Sequence, residues 1–326
     1  MRKLLILLIT SLAFSTPGIE WQYVSYDDGV GLSVVQISDG SYIIGNNAGK
    51  LIKIDSDGNE VWTQHDGYGD IYSIDNTIDG GAIFVKEDEL IKINSNGDVE
   101  WTQNLGFEGR SVIQITDEHY ICTGDSLLNK IDSNGDVLWS NSLGHSNLLA
   151  VKETDDGGFI VTGYDNYGSS TGPIAFLVKT DSNGNIEWDN QYLSMGRGEA
   201  IIQTNDNGYI LGGSVRYYGM GEDILIKTDS NGNIEWSQQG EYIYSIIPSN
   251  FDDGFITVGN AGKVKKLDYD GNEIWSFIHA ALEIDCPTYT PYLTCENIFR
   301  DIRETSDGGY VATGCYNYMA DECNDL

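Results

Sequence analysis

The chain has 326 residues, 40% of them hydrophobic and 11% aromatic, with 39 Gly and only 5 Pro. That is too long for one ordinary compact core and too apolar for a disordered acidic tail, so a barrel, propeller or other repeat array is the first expectation. Fifty Asp and Glu against 18 Lys and Arg give a net charge of -32, which repels phosphate backbones and anionic headgroups and argues against nucleic acid or a membrane surface as partner.

The first element is a short apolar run. Met1, Arg2 and Lys3 form a charged start, Leu4 to Phe14 is apolar, and Ala13-Phe14-Ser15 places small residues at the -3 and -1 positions of a signal-peptidase site. Eleven residues are too few to span a bilayer. Residues 1–15 are therefore predicted to be a cleaved secretory signal, residues 16–326 a single exported domain, and the location secreted or cell surface.

After this segment the chain repeats. Six of the seven Trp close a motif that first reads Asp55-Ser56-Asp57-Gly58-Asn59-Glu60-Val61-Trp62 and recurs ending at Trp101, Trp139, Trp188, Trp236 and Trp275; Trp21 keeps only the last three positions, Ile19-Glu20-Trp21. The Trp spacings are 41, 39, 38, 49, 48 and 39, a unit of about forty residues with two enlarged copies. Between the Trp residues lies a second signal, as in Asp79-Gly80-Gly81, Asp156-Gly157-Gly158-Phe159 and Asp307-Gly308-Gly309-Tyr310. Both signals stand between short β-branched runs, which is the pattern of tight hairpins.

Each unit then reads as strand A, an Asp-Gly turn, strand B, a variable loop, strand C, the Asp-Ser-Asn-Gly turn, and strand D carrying Trp. A forty-residue unit of four antiparallel strands is the signature of a β-propeller blade. The expected fold is an all-β propeller of seven blades. Six are complete, and the seventh combines A and B near Phe299 to Thr313 with the N-terminal D strand, Ile19 to Val24. Its strand C is missing. The chain stops at Asp325-Leu326, where the fifth copy reads Asp223-Ile224 and continues, so a truncated propeller, or an eight-bladed parent, also fits this reading.

The Asp-Gly-Gly-Tyr element followed by Lys-Thr-Asp-Ser-Asn-Gly-Asn-Ile-Glu-Trp resembles the repeat of secreted or cell-surface microbial β-propellers, similar to the pyrroloquinoline-quinone-like propellers whose blades also end in a docking Trp. The resemblance covers the chain after the signal. It implies the fold, and it leaves function open among quinone enzymes, outer-membrane assembly scaffolds and binding proteins.

Because the Trp recurs, it is expected to pack between neighbouring blades. The strand C lysines Lys53, Lys92, Lys130, Lys179, Lys227 and Lys266 are expected to lay their stems on a blade face and meet repeated acids. The pairs Asp55 and Asp57, Asp132 and Asp136, and Asp268 and Asp270 space hard oxygens as calcium loops do, but no bidentate Glu follows at the required distance. Turn capping by Asp and Asn explains them without an ion. No cofactor is expected, and calcium is the one ion that these turns admit.

All length variation falls on the face carrying B-to-C loops and D-to-A connections. Blade four inserts residues 164–173, blade five 214–222, and the connection from blade six to seven spans 278–298. Tyr164, Asp165, Tyr167, Arg216, Tyr217, Tyr218, Glu222, Tyr316 and Tyr318 are the candidate ligand-binding residues, since Tyr beside Gly, Ser and Asn makes adaptable recognition surfaces. Cys286, Cys295, Cys315 and Cys323 bracket two of these excursions and are candidates for two disulfides of open connectivity, leaving Cys122 buried and free. His65, His145 and His279 lie in or near D-to-A connections.

Nucleophile-elbow and zinc-protease motifs, and the adjacent Cys pair of quinone dehydrogenases, are missing. The expected function is a secreted, monomeric, non-catalytic module that binds a glycan or protein. The alternative is a propeller enzyme, either a quinone-dependent oxidoreductase or a glycan-cleaving hydrolase.

Overall fold

The computed structural model describes residues 4–10, 18–25, 29–65, 69–166, 172–192, 196–217, 220–249, 254–279 and 295–319. Among the described residues every regular element is a strand except one 3-10 turn, Asn260–Gly262. Two come from the N terminus, β1 (Leu4–Thr10) and β2 (Gly18–Ser25). The first repeat supplies β3 (Gly31–Gln36), β4 (Tyr42–Asn46), β5 (Lys50–Ile54) and β6 (Glu60–His65), and the second β7 (Ile71–Asn76), β8 (Ala82–Lys86), β9 (Glu89–Ile93) and β10 (Val99–Asn104). The third is β11 (Gly109–Gln114), β12 (Tyr120–Gly124), β13 (Leu127–Ile131) and β14 (Val137–Ser142). The enlarged fourth and fifth are β15 (Asn147–Glu153), β16 (Phe159–Asn166), β17 (Pro173–Thr180) and β18 (Ile186–Tyr192), then β19 (Arg197–Gln203), β20 (Tyr209–Tyr217), β21 (Met220–Thr228) and β22 (Ile234–Gly240). The sixth is β23 (Ile243–Pro248), β24 (Phe255–Gly259), β25 (Lys263–Leu267) and β26 (Glu273–Ile278), and β27 (Cys295–Glu304) and β28 (Tyr310–Met319) follow.

Each repeat from the first to the sixth forms one four-stranded antiparallel sheet with its strands in sequence order. These are β-propeller blades, and the described residues form six of them rather than the seven expected. The remaining strands make a composite sheet in the order β2-β1-β28-β27. The expected seventh blade had β2 beside β28 with strand C missing. Instead β1, the segment read as a signal peptide, lies antiparallel between them. The physical reason is edge pairing: an apolar extended segment satisfies two otherwise open strand edges at once.

Residue contacts divide the chain into two units, one of residues 1–71 and 249–326, the other of residues 72–248. In both, local sequence explains strand character. B strands such as Tyr42–Asn46 and Phe255–Gly259 are buried along their whole length, as near-continuous apolar runs require when both faces are covered. D strands alternate instead, with Val99 and Glu100 exposed and Trp101 half-buried, the pattern of an outer strand with one face in solvent.

The Asp-Gly and Asp-Ser-Asn-Gly segments form the expected turns. In the fourth blade the Thr154 amide donates to Gly158 O, and the Gly158 amide donates to Asp156 Oδ1. At the next turn the Asn183 and Asn185 amides both donate to Asp181 Oδ1, at 2.9 Å each, and Gly184 takes φ 76°. That conformation favours Gly.

Trp links blade to blade as expected. The Trp101 indole donates to Ser133 O at 3.1 Å, and its ring lies 5.7 Å from that of Tyr120 in the next blade. Trp139 against Phe159 and Trp188 against Tyr209 repeat the arrangement. In the other unit Trp21 does the same, donating to Ser56 O at 2.8 Å and packing on Tyr42.

The lysines also behave as expected. Lys92, Lys179 and Lys227 are almost fully buried, and each is held between an Asp of the A-to-B turn and the Glu before Trp. The distances are 2.8 and 2.7 Å to Asp79 and Glu100, 2.9 and 3.0 Å to Asp156 and Glu187, and 2.9 and 2.8 Å to Asp206 and Glu235. Burial alone would raise the Asp156 and Asp206 carboxyls. The Thr hydroxyl, Lys ammonium and Gly amide at each outweigh it, so both titrate at about 2.

Candidate functional site

The loop face of the third and fourth blades carries a polar depression of about 670 Å³. Its walls are Asp125 and Ser126 from the β12–β13 connection, Ser142 and Gly144 at the end of β14, His145 and Ser146 leading into β15, and Asp165 and Asn166 at the end of β16. The Asp-Gly and Asp-Ser-Asn-Gly turns contribute no residue to it.

His145 organises this site. It is buried, and its ring stacks on Phe176 at 3.8 Å between centroids with an 11° tilt. Nδ1 lies 2.6 Å from Asp165 Oδ2, and Nε2 lies 3.1 Å from Asp189 Oδ1 on the D strand β18. Each ring nitrogen thus faces a carboxylate oxygen. The clamp therefore presents an imidazole with neither nitrogen free.

Asp165 is tied down further. Its Oδ1 accepts the Ser146 amide at 2.8 Å and the Ser146 hydroxyl at 3.2 Å. Burial would raise this carboxyl, but the His145 and Ser146 contacts hold it below the usual carboxylate range. Asn147 Nδ2 donates to Ser146 Oγ and to Tyr164 O, so the chain either side of the histidine is fixed. On β16 the Tyr164 ring is capped by the Arg197 guanidinium of β19, 4.5 Å from its centroid.

Of the sequence-predicted binding residues, the structure brings Asp165 into the depression; Tyr164 contributes only its carbonyl to the neighbouring hydrogen bonds, and its ring packs under Arg197. Tyr167 and Tyr218 lie outside the described residues. Arg216, Tyr217 and Glu222 fall on the strands β20 and β21, which pair as Val215 with Glu222, Arg216 with Gly221 and Tyr217 with Met220. The blade five insertion, expected as a loop, is an extension of its hairpin. Tyr316 and Tyr318 fall on β28, with Tyr318 opposite Glu296, so they too are strand positions.

Sequence reasoning missed the clamp. The residue after each Trp is Gln22, Thr63, Thr102, Ser140, Asp189, Ser237 or Ser276. A carboxylate replaces a neutral polar group only in blade four, and that break in the repeat was the available signal.

Three of the six turn acids proposed for calcium, Asp55, Asp132 and Asp268, accept the amides of their own turns. Asp55 Oδ1 accepts the Asp57 and Asn59 amides, at 3.0 and 2.7 Å. Asp132 and Asp268 do the same for Asn134 and Asp136, and for Asp270 and Asn272. Among the described residues no group of three or more His, Cys, Asp or Glu is arranged to hold a metal. Cys122 is free and buried, as expected, and burial pushes its thiol up to about 12. Cys315 is buried and disulfide-bonded. Cys286 and Cys323 lie outside the described residues, and Cys295 is a position on β27. No helix among the described residues is long and apolar enough to cross a membrane.

Four-stranded antiparallel sheets, docked on their neighbours within each unit by a Trp of the last strand, define a β-propeller. A family model, PQQ_2, described as outer membrane protein assembly factor BamB, matches residues 47–208, which supports a PQQ-like β-propeller repeat in that part of the chain. No curated protein matches it. Among solved structures, the WD40 repeats of RRP9 align with a TM-score of 0.65 and 8% identity, over 89% of this chain and 96% of that one. A Bacteroides caccae protein of unknown function aligns with a TM-score of 0.50 and 17% identity, over 73% of this chain and 94% of that one. These two likenesses concern the fold alone. Fold and family together suggest a binding or scaffolding role.

Proposed function

We propose that this protein is an exported, monomeric, non-catalytic binding module that recognises a neutral glycan or a basic protein segment through the depression around His145. The observation that carries this reading is the clamp of His145 between Asp165 and Asp189. A general base needs a free ring nitrogen within reach of the proton it takes, and His145 offers none. What remains for a ligand is a rigid wall of carboxylate, hydroxyl and amide groups. Asp125, Asp165, Ser126, Ser142, Ser146 and Asn166 suit sugar hydroxyls or cationic side chains, while the net charge of -32 disfavours nucleic acid and anionic lipid. The described family member, an outer-membrane-protein assembly factor, makes a protein partner as natural as a glycan.

Calorimetry of the exported protein against a panel of neutral oligosaccharides and lysine-rich peptides tests the reading. The expected result is binding to one class, weakened about tenfold or more by Asp165→Asn, in line with loss of a charged hydrogen-bonding partner, and no turnover. Robust glycan cleavage or quinone-dependent oxidation that Asp165→Asn abolishes would replace this reading with the enzymatic one.

A further inference from the structure

Blade two shows what closes the space that blade three leaves open around His145. The B-to-C turns of the two blades are equivalent. Glu87 and Asp125 both take a left-handed backbone, φ 51° and 39°. The Asp88 and Ser126 carbonyls accept the Leu105 and Leu143 amides, and the Glu87 and Asp125 carbonyls accept the Gly109 and Leu148 amides. In blade two the turn is then tied to strand D, because Asn104 Nδ2 donates to Asp88 Oδ2 at 2.8 Å. In blade three those two positions are Ser126 and Ser142. Their shorter side chains make no such bond among the described residues, and both line the depression. The connection that follows also changes, from Leu105-Gly106-Phe107 to Leu143-Gly144-His145. Both rings are buried, but the histidine lies 2.6 Å from Asp165 and holds that carboxylate in the wall.

The side chains of this wall divide into those already engaged and those available to a ligand. Both Asp165 oxygens are taken, Oδ1 by Ser146 and Oδ2 by His145 and Gln191. The Asp125 carboxylate, the Ser126 hydroxyl and the Asn166 amide have no partner among the described residues. Asp165 therefore supplies field, and Asp125 supplies contact. No Lys or Arg lines the depression, and Lys86, which precedes the turn in blade two, is replaced by Gly124 in blade three. Nor is there a Tyr, Trp, Phe or aliphatic side chain in the lining on which the apolar face of a sugar could rest. A guanidinium is the opposite kind of ligand. It carries five N–H donors and no acceptor, and its planar fork makes two parallel bonds to a free carboxylate. An ammonium has the charge without the fork. The volume of about 670 Å³ leaves room for the segment that bears the side chain.

We propose that the depression receives one arginine of a partner protein, its guanidinium paired with the Asp125 carboxylate and bordered by Ser126 and Asn166. This rests on the reading of the depression as the ligand site, and it selects the basic protein segment over the glycan. The net charge of -32 draws cationic segments from a distance. Asp125 and its neighbours decide which cation stays.

The test titrates the protein by fluorescence anisotropy, at about 0.15 M salt to screen distant charges, against three end-labelled peptides that differ at one residue. These are Gly-Ser-Gly-Arg-Gly-Ser-Gly and the same peptide with lysine or citrulline, which has the shape of arginine without its charge. The arginine peptide should bind at least about tenfold more tightly than the citrulline peptide, with lysine between. Asp125→Asn, which the left-handed turn accepts, should remove about tenfold or more of that affinity. The double variant Ser126→Asp with Ser142→Asn rebuilds the contact of blade two, and it should lose the arginine peptide even though it gains a negative charge. Attraction to the acidic surface as a whole predicts the reverse, no change for Asp125→Asn and tighter binding by the double variant, and either result overturns the proposal. So does equal binding of the arginine and citrulline peptides, or binding of neither. An unchanged melting temperature in each variant separates lost binding from lost folding. A neutral oligosaccharide whose binding Asp165→Asn weakens and Asp125→Asn does not would overturn this inference and leave the depression as the ligand site. Arginine binding indifferent to both substitutions would overturn the two readings together.

Discussion

At the scale of single residues, the buried lysines show why opposite charges in one contact are not interchangeable. The Lys227 side chain is 2% exposed while Asp206 and Glu235 are 58% and 47% exposed. Removing the lysine leaves two carboxylates that water can reach, whereas removing both acids leaves an ammonium in the sheet with only the Thr228 carbonyl, 2.9 Å away. Lys227→Met should therefore cost about 1–2 kcal/mol, and the pair Asp206→Ala with Glu235→Ala about 3–5 kcal/mol, both read from urea denaturation. The same contacts set the acid response. Asp156 and Asp206 titrate at about 2 in the folded chain against an ordinary 3.8. Their stabilisation is thus fully present above pH 3.8 and is lost as the pH falls through about 2. Asp206→Asn should lower stability at pH 6 and flatten its fall between pH 4 and pH 2, as measured by denaturation at each pH.

At the scale of the element, the two turn types differ in what surrounds them. Gly157 in an A-to-B turn has φ 79° and open space where a Cβ would be, whereas at Gly184 in a C-to-D turn, φ 76°, a Cβ would meet the Trp139 ring at 2.8 Å. Gly157→Ala should cost only the left-handed backbone penalty, about 1–2 kcal/mol. Gly184→Ala should cost about 1–3 kcal/mol more for displacing the docked Trp, and a red-shifted indole emission would report the displacement. Strand identity was legible because each strand has its own burial period. The blade five insertion was misread for the same reason in reverse. Val215 and Tyr217 alternate with polar neighbours, and Gly219 suggested a loop, yet β20 and β21 simply continue pairing beyond the blade.

For the whole molecule, charge is the dominant variable. The chain carries 50 acids and 18 bases, so self-repulsion opposes the folded state and added salt should relieve it. Because Asp55, Asp132 and Asp268 already accept the amides of their own turns, calcium and magnesium at equal ionic strength should raise the melting temperature alike. An extra rise with calcium alone would identify the Asp55 and Asp57, Asp132 and Asp136, or Asp268 and Asp270 turns as ion sites.

The sequence by itself determined the blade: four strands per unit, the two hairpin turns, the docking Trp and the lysine held by acids. Each is set by interactions that recur with the repeat, so one copy explains the others. Tertiary structure alone decided two things. It brought His145 to Asp165 and Asp189, 20 and 44 residues away in sequence, and it put β1 in the strand C position of the composite sheet. Neither contact recurs. A periodic pattern encodes which residues face the same neighbour in every blade, and it carries no information about a carboxylate that appears once or about which segment fills an open strand edge.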